Sequence, residues 1–170
     1  MLEPRVVLAI ETSQREQSVA VRADGGEPLV ERVDTSDRSR EDLMPAIDRA
    51  FRRLSLQPHA LHAVLLNAGP GGFTGLRIAH ATAQAMALAC GARIVPVGAG
   101  TCARVASEMA GDLEPAEPAW VALASKGESC WVQRVDASID PQPGQPLEAD
   151  ARSEEHTSEL QSRQYLVCRL

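Results

Sequence analysis

The stretch Asn67–Ala89, NAGPGGFTGLRIAHATAQAMALA, is a glycine-rich turn that opens directly into a helix. The apolar run Ala63–Leu66 precedes it and has the character of a buried strand. Three glycines surround Pro70 in the turn, and Thr74 follows as a candidate helix cap. A strand, a glycine turn and a capped helix in this order direct backbone N–H groups and the positive end of the helix dipole towards one point.

Two interpretations of this turn remain open. It is either an anion or nucleotide site, or a tight strand-to-helix connection in which glycine allows close backbone packing. A phosphate-binding P-loop needs Gly-Lys-Ser/Thr after the glycines, whereas Gly75–Arg77 occupies that place. A dinucleotide fingerprint needs G-x-G-x-x-G, and Gly69, Gly71 and Gly75 miss the last spacing by one residue.

The helix after the turn is rich in alanine, and Gly91 provides a natural C-terminal stop. Gly75, Ala79, Ala83 and Ala87 recur at every fourth position and form a ridge of small side chains. Such a ridge allows another helix or a sheet to approach closely. The helix is therefore either buried in its own domain or part of a subunit interface, and the sequence leaves both interpretations open.

The composition indicates a globular protein with an aliphatic core. Hydrophobic residues make up 44% of the 170 residues, but aromatic residues only 3%. The net charge of −6 argues against nucleic-acid binding by bulk electrostatics, because phosphate neutralisation requires clustered Lys and Arg. No stretch approaches the ~20 apolar residues that cross a membrane, and no signal peptide is recognisable. We therefore expect a cytoplasmic protein without membrane contact.

Metal and redox sites are not indicated by the sequence. The four cysteines contain no C-x-x-C pair, so reduced thiols are expected. His59 and His62 lie beside Pro58 ahead of a strand, which is typical of a solvated loop rather than a metal site.

The predicted element order is β-β-β-α-β-α-β-α, which indicates an α/β fold with a mixed sheet and helices on its faces. A hairpin turn is predicted at Asp24–Gly26, and the first helix over Arg38–Leu54 with Ser39 as its cap. The predicted apolar stripe of that helix is Leu43, Met44, Ile47, Phe51 and Leu54. The other predicted strands and helices are Arg5–Glu11, Gln17–Arg22, Pro28–Val33, His62–Ala68, Gly75–Gly91, Arg93–Val97 and Thr101–Ala110.

Three segments are predicted along the chain: an N-terminal subdomain over residues 1–111, the start of an incomplete second subdomain over 112–151, and a tail over 152–170. In the second segment, Trp120–Ala124 and Cys130–Val135 have the pattern of a hairpin, followed by a proline-rich loop that reaches Pro146. The tail contains Arg152–Ser162, RSEEHTSELQS, which resembles the translation of a short-read sequencing adapter. We therefore interpret the tail as an artefact outside the fold, and expect the natural protein to continue beyond Ala151.

Several blocks of this sequence resemble the TsaB (YeaZ) family, the bacterial partner subunit in tRNA threonylcarbamoyladenosine synthesis. The segment Gly69–Ile78 is similar to the family's block Gly-Pro-Gly-Ser-Phe-Thr-Gly-x-Arg-Ile. Val7–Ser13 is similar to its opening strand, and Asp42–Ile47 to its Leu-Leu-Pro-x-Ile helix. The resemblance extends over Arg5–Asp136 and implies the actin-like, ribonuclease-H-like fold shared with sugar kinases and chaperone ATPases.

The resemblance also implies a function. Members of this family are non-catalytic scaffold or activator subunits that pair with TsaD, which transfers the threonylcarbamoyl group to the adenosine next to the tRNA anticodon. The ATPase TsaE joins the assembly. No cofactor is then expected on this chain alone, ATP and metal are expected on the partner subunits, and tRNA is reached only through the complex. In isolation the chain is expected to pair with itself as a homodimer.

The predicted partner interface lies on two helices. Its candidate residues are Leu43, Ile47, Gly75, Ile78, Ala79, Ala83 and Met86. The alternative function is a stand-alone phosphotransferase or ATPase of the actin superfamily, with Glu11, Thr12 and Ser13 as weak nucleotide candidates. Fold relatives that hydrolyse ATP carry Asp-x-Gly at this strand end, and the longer acid without glycine argues against a bound nucleotide.

The sequence also departs from the family pattern. Glu11 stands where an Asp is usual, and Ser39 stands where a histidine is frequent. Leu123–Glu128 replaces the Asp-Ala-Arg block of the second subdomain. The chain contains no His-x-x-x-His pair of the kind that holds the metal in TsaD. The missing histidine pair agrees with a chain that does not itself catalyse the transfer, and the other departures leave the predicted interface helices intact.

Overall fold

The computed structural model describes residues 5–34, 42–114, 118–124, 130–135, 145–147 and 165–169. The chain forms two compact units, Met1–Val97 and Gly98–Leu170. The predicted mixed α/β fold is confirmed. The elements in chain order are β1 (Val6–Glu11), β2 (Ser18–Ala23), β3 (Leu29–Arg32), α1 (Leu43–Arg53), a short 3-10 helix (Pro58–Ala60), β4 (Leu61–Asn67), α2 (Phe73–Cys90), β5 (Arg93–Val97), α3 (Ala99–Ala110), β6 (Ala119–Ala124), β7 (Cys130–Val135), β8 (Gln145–Leu147) and β9 (Tyr165–Arg169).

The first unit contains a five-stranded mixed sheet in the order β3-β2-β1-β4-β5. The first three strands are antiparallel neighbours, and the predicted hairpin turn is confirmed by positive φ angles of 42° at Asp24 and 72° at Gly25. Strand β4 joins β1 in parallel, and β5 joins β4 in parallel. Each parallel step follows a helix, because a parallel connection needs a crossover. The sheet is therefore the mixed sheet that the element order predicted.

The core of the first unit lies between this sheet and the helices α1 and α2. Strand β1 alternates in burial, and its buried side chains are Val6, Leu8 and Ile10. The helices contribute two further sets to the same hydrophobic cluster. These are Leu43, Ala46, Ile47, Ala50 and Phe51 from α1, and Ala79, Ala83 and Met86 from α2.

Helix α1 begins at Leu43 with Asp42 at the N-cap position, so the predicted cap at Ser39 is wrong. Ser39 itself lies outside the described residues. Pro45 explains the later start, because proline is tolerated in the first turn of a helix but disrupts its interior. Met44, predicted in the apolar stripe, is 50% exposed. Two alanines, Ala46 and Ala50, complete the buried stripe instead.

Helix α2 begins at Phe73 with Gly72 as its N-cap, so the predicted cap at Thr74 is also wrong. Its predicted end is confirmed, because Gly91 takes the left-handed conformation with a φ of 70°. Helix α3 ends in the same way at Gly111. Among the helices in the described ranges, none combines the length and the apolar character that a membrane span requires.

The second unit contains an antiparallel sheet in the order β8-β7-β6-β9. Helix α3 packs on it through Ala99 and Ala103, which contact a cluster with Val121, Leu123 and Val135. The predicted hairpin of β6 and β7 is confirmed. However, α3 groups with this sheet, so the boundary between the units lies between Val97 and Gly98 and not after Gly111.

Two further segments differ from the sequence prediction. Pro146, predicted in a loop, lies in strand β8 opposite Trp131, at the edge of the sheet where proline is tolerated. Tyr165–Arg169, predicted to lie outside the fold, forms strand β9 and pairs with β6. Residues 152–164 are outside the described ranges, and the origin of the tail stays a prediction.

Candidate functional site

The end of strand β1 and the turn before α2 meet in one hydrogen-bonded cluster, referred to below as the β1–α2 clasp (Glu11–Ser13 with Asn67–Gly75). Strands β1 and β4 are parallel neighbours, and Ile10 lies opposite Leu66. Their carboxyl ends therefore reach the same edge of the sheet, which is where ligands bind in open α/β folds. This topology brings the strand-end residues Glu11 and Asn67 together.

Both carboxylate oxygens of Glu11 accept hydrogen bonds within the clasp. Oε1 accepts the backbone N–H and the hydroxyl of Ser13, both at 2.7 Å. Oε2 accepts the side-chain amide of Asn67 at 2.5 Å. The carboxylate is thus held by three donors of its own chain.

Asn67 connects the three parts of the clasp. Its Nδ2 also donates to Ser13 Oγ at 3.0 Å, and its Oδ1 accepts the backbone N–H of Gly69 at 2.8 Å. Only 5% of the Asn67 surface and 7% of the Ser13 surface is exposed. Buried polar groups need hydrogen-bond partners, and those of Asn67 are provided from both sides of the clasp.

The glycines of the turn allow the two sides of the clasp to approach. A Cβ atom at Gly75 would overlap the carbonyl oxygen of Thr12, and one at Gly71 would lie 2.5 Å from the Ser13 side chain. The Thr12 hydroxyl donates to the Gly75 carbonyl at 2.7 Å, and the Gly72 N–H donates to the Ser13 carbonyl at 2.7 Å. Of the two interpretations that the sequence left open, this geometry is that of the tight strand-to-helix connection.

The geometry of the clasp bears on the alternative prediction of a bound nucleotide. The three weak nucleotide candidates, Glu11, Thr12 and Ser13, do lie together against the glycine turn. However, the Glu11 carboxylate occupies the donors that a phosphate would use, and the turn packs directly on Ser13. A phosphate group would have to displace this carboxylate.

Most of the predicted interface residues are in the core of their own unit. Leu43, Ile47, Ala79, Ala83 and Met86 are between 0% and 8% exposed and belong to the cluster between sheet and helices. Their side chains are therefore not available to a partner, and the assignment of these five to an interface is corrected. The two remaining candidates, Gly75 and Ile78, are partly buried, and Gly75 contacts Thr12.

The opposite face of α2 carries exposed apolar side chains that the sequence analysis missed. Phe73 is 73% exposed and Leu88 is 87% exposed. Ala81 and Ala85 are exposed between them. Arg77 stacks over the Phe73 ring at 5.5 Å from its centroid, a cation–π contact. These five residues are referred to below as the outer face of α2.

The second unit also contains buried polar side chains on α3 and β7. The guanidinium of Arg104 is 4% exposed and contacts the Glu108 carboxylate through Nη2 at 2.5 Å. Its Nη1 is buried and has no hydrogen-bond partner among the described residues. Gln133 of β7 lies close to Gly100 of α3 and is also 4% exposed. The part of the chain that the structure describes holds no group of three or more His, Cys, Asp or Glu side chains suited to a metal ion.

Comparison with known proteins assigns this chain to a family. The model of the family described as TsaD, tRNA N6-adenosine threonylcarbamoyltransferase, matches residues 28–139 of the chain. The chain belongs to this family. The matched region begins ahead of β3 and extends past β7, so it includes the turn, both core helices of the first unit and α3.

Curated relatives of this TsaD-family chain carry the same description. Two proteins called tRNA N6-adenosine threonylcarbamoyltransferase, from Anaeromyxobacter dehalogenans strains 2CP-C and 2CP-1, are each 36% identical over 107 residues. Each alignment covers 54% of this chain and 32% of the relative. The chain thus spans about a third of the length of these relatives.

Solved structures show the same fold. YeaZ from Pseudomonas aeruginosa superposes with a TM-score of 0.70 at 20% identity, and covers 88% of this chain and 69% of the other. A second structure, described as an uncharacterized protein with similarity to peptidase YeaZ from Pseudomonas aeruginosa, superposes with a TM-score of 0.72 at 19% identity and the same coverage. The family match and the YeaZ fold together confirm the predicted resemblance to the TsaB (YeaZ) family and the actin-like fold.

Proposed function

We propose that this TsaD-family chain is a non-catalytic scaffold or activator subunit in tRNA modification. It pairs with a TsaD-like protein, joined by a TsaE-like ATPase, in threonylcarbamoyl transfer to the adenosine next to the tRNA anticodon. The observation that carries the proposal is the outer face of α2, where two strongly exposed apolar side chains flank exposed alanines on a helix whose inner face is already buried.

The outer face of α2 has the chemistry of a helix-packing surface. Phe73 and Leu88 lie near the two ends of the helix, and Ala81 and Ala85 lie between them. Small side chains at the centre allow a second helix to approach closely, while larger apolar side chains at the ends can be buried by it. Neither Phe73 nor Leu88 is needed by the core, since both project to solvent.

The β1–α2 clasp supports a non-catalytic role. In the predicted alternative, a stand-alone phosphotransferase or ATPase, a phosphate would need the donors that Glu11 occupies. We therefore place ATP and metal on the partner subunits. The tRNA is contacted through the complex, in agreement with the negative net charge of the chain.

The same outer face can pair with itself when no partner is present. An isologous pair of antiparallel α2 helices places Phe73 of one copy against Leu88 of the other, because the two residues are close to opposite ends of the helix. We propose that this homodimer competes with the heteromeric complex for the outer face. Both assemblies belong to the cytoplasm.

The test is co-purification of the full chain with the TsaD-like protein of the same organism. Leu88→Glu introduces a charge at the outer face, and Met109→Glu is the matched control, because Met109 is 85% exposed on α3. We expect Leu88→Glu to reduce the retained partner at least about tenfold, because a charge replaces an apolar side chain that the partner would bury. Met109→Glu should retain the partner as the wild type does.

Two outcomes would contradict the proposal. Equal retention by Leu88→Glu and the wild type would exclude the outer face of α2 as the contact surface. Hydrolysis of Mg-ATP by the purified wild-type chain alone would favour the stand-alone enzyme. Circular dichroism of both variants establishes that they are folded before retention is compared.

A further inference from the structure

Three hydrogen-bond donors of the β1–α2 clasp converge on one carboxylate. Ser13 provides its backbone N–H and its hydroxyl, and Asn67 provides its side-chain amide. A backbone N–H in a turn, a hydroxyl and an amide are the donors with which proteins bind external oxyanions. In this chain the oxyanion is the side chain of Glu11.

The donors are held by contacts that do not involve Glu11. The amide of Asn67 is oriented by the Gly69 N–H, which donates to its Oδ1 at 2.8 Å. The Ser13 backbone is fixed by the Gly72 N–H, which donates to the Ser13 carbonyl at 2.7 Å. Because these contacts do not involve the Glu11 side chain, we expect the donors to keep their positions and lose their acceptor when that side chain is shortened.

We propose that Ser13 and Asn67 form an oxyanion site that Glu11 occupies from within the chain. An external carboxylate or phosphate binds there when the Glu11 side chain is shortened. Both donor residues are more than nine-tenths buried, so the loss of their acceptor is costly and an anion that restores the hydrogen bonds is favoured. This site is separate from the outer face of α2 and does not depend on any partner.

The size of the Glu11 side chain determines which small anion can take its place. Glu11→Ala removes the Cγ methylene and the carboxylate, which together have the heavy atoms of acetate. Acetate can therefore replace the missing group within the same space. Phosphate carries a stronger charge but is larger, and the glycine turn lies directly on Ser13. Sodium acetate and sodium phosphate thus distinguish a carboxylate site from a phosphate site.

The experiment measures the melting temperature of the full chain in sodium chloride, sodium acetate and sodium phosphate at equal ionic strength and neutral pH. We expect a saturable rise of several degrees for Glu11→Ala in acetate, because a ligand that binds only the native state stabilises it. The wild type should show no such rise. Glu16→Ala is the matched control, since Glu16 is strongly exposed and pairs only distantly with Arg32.

A second variant tests whether the donors of the clasp are responsible. Glu11→Ala combined with Ser13→Ala should bind acetate about tenfold more weakly, the equivalent of one lost hydrogen bond. An equal rise in the wild type and Glu16→Ala would identify a general salt effect and overturn the proposal. No response of Glu11→Ala to either anion would overturn it as well.

Loss of folding in Glu11→Ala would still be informative. If the variant is unfolded in chloride, its circular dichroism spectrum is compared in acetate and in phosphate. Recovery of the native spectrum in either anion supports the oxyanion site and identifies its class. A variant that stays unfolded in both anions contradicts it.

Discussion

The hydroxyl of Thr12 donates a 2.7 Å hydrogen bond to the carbonyl of Gly75, and a Cβ atom at Gly75 would overlap the carbonyl oxygen of Thr12. The two residues are 63 positions apart in the sequence. The glycine is therefore required for close approach between the end of β1 and the first turn of α2. This contact accounts for a glycine in the turn without a bound anion.

Substitution of Gly75 tests this close approach. We expect Gly75→Ala to lower the free energy of unfolding by about 3 kcal/mol, because the added methyl group overlaps backbone that cannot move freely. Gly91→Ala is the control. It has open space around its Cβ but a left-handed backbone, and should cost only about 1 kcal/mol. Urea denaturation measures both, and an equal loss in the two variants would contradict the explanation.

The two faces of α2 are expected to respond differently to a larger side chain. Ala83 is 0% exposed in the core, whereas Ala85 is exposed on the outer face. Ala83→Leu should lower the free energy of unfolding by about 2 kcal/mol through overpacking. Ala85→Leu should change it by less than about 0.5 kcal/mol. A neutral Ala83→Leu would show that this position is not in the core of the native protein.

The ion pair between buried Arg104 and partly exposed Glu108 leads to a prediction about the second unit. Glu108→Ala leaves a buried guanidinium without its carboxylate and should cost about 2 to 3 kcal/mol. Arg104→Met removes the charge together with its unpartnered Nη1, and should be within about 1 kcal/mol of the wild type. Thermal unfolding of both variants measures which of the two substitutions lowers the stability more. A larger loss in Arg104→Met would mean that Nη1 has an acceptor in the native protein.

The start of the first helix carries an ionic contact, between the N-cap residue Asp42 and Arg49, that should be intact around neutral pH. The Asp42 carboxylate raises the pKa of the Arg49 guanidinium above its usual value, first through a hydrogen bond and then through its charge. A raised pKa means that the contribution of Arg49 is complete below its usual pKa, and is lost only as the pH rises past the raised value. At neutral pH the contact is therefore intact.

The corresponding variants are Asp42→Ala and the control Asp48→Ala. Asp42 bonds both terminal nitrogens of Arg49 and also accepts the Asp34 backbone N–H, whereas Asp48 forms an ion pair with the exposed Arg52. We expect the larger loss of stability from Asp42→Ala, measured by urea denaturation at neutral pH. High salt should reduce the difference, because exposed ion pairs are screened. The opposite order would contradict a role for Asp42 in stabilising the start of α1.

Local signals in the sequence predicted most elements and their ends. Alternating burial in β1 follows from its alternating apolar residues, and the left-handed glycines Gly91 and Gly111 end their helices as expected. The starts of α1 and α2 were predicted incorrectly. The start of α1 is explained by Pro45, which is tolerated in the first turn of a helix but not in its interior. The N-cap of α2 is instead at Gly72, whose N–H bonds Ser13 from a distant part of the chain.

Fewer residues of the β1–α2 clasp could be predicted from the sequence. Glu11, Thr12 and Ser13 could be recognised because they follow a strand, but Asn67 could not, since its bonds to Glu11 and Ser13 span more than fifty residues. One signal was present: Asn67 ends the strand next to β1, at the same edge of the sheet. The ridge of small residues in α2 was also recognisable, but its periodicity does not identify the neighbour that it faces.

The sequence by itself determined the order of strands and helices from β1 to β7, the glycine stops and the family. These depend on local backbone preferences, on apolar periodicity and on a motif that is contiguous in the chain. Only the tertiary structure decided that Ala79, Ala83 and Met86 are core residues, and that Glu11 is held by Ser13 and Asn67. Burial and hydrogen bonding between distant segments depend on which strands become neighbours, and that choice is made by the packing of the whole unit.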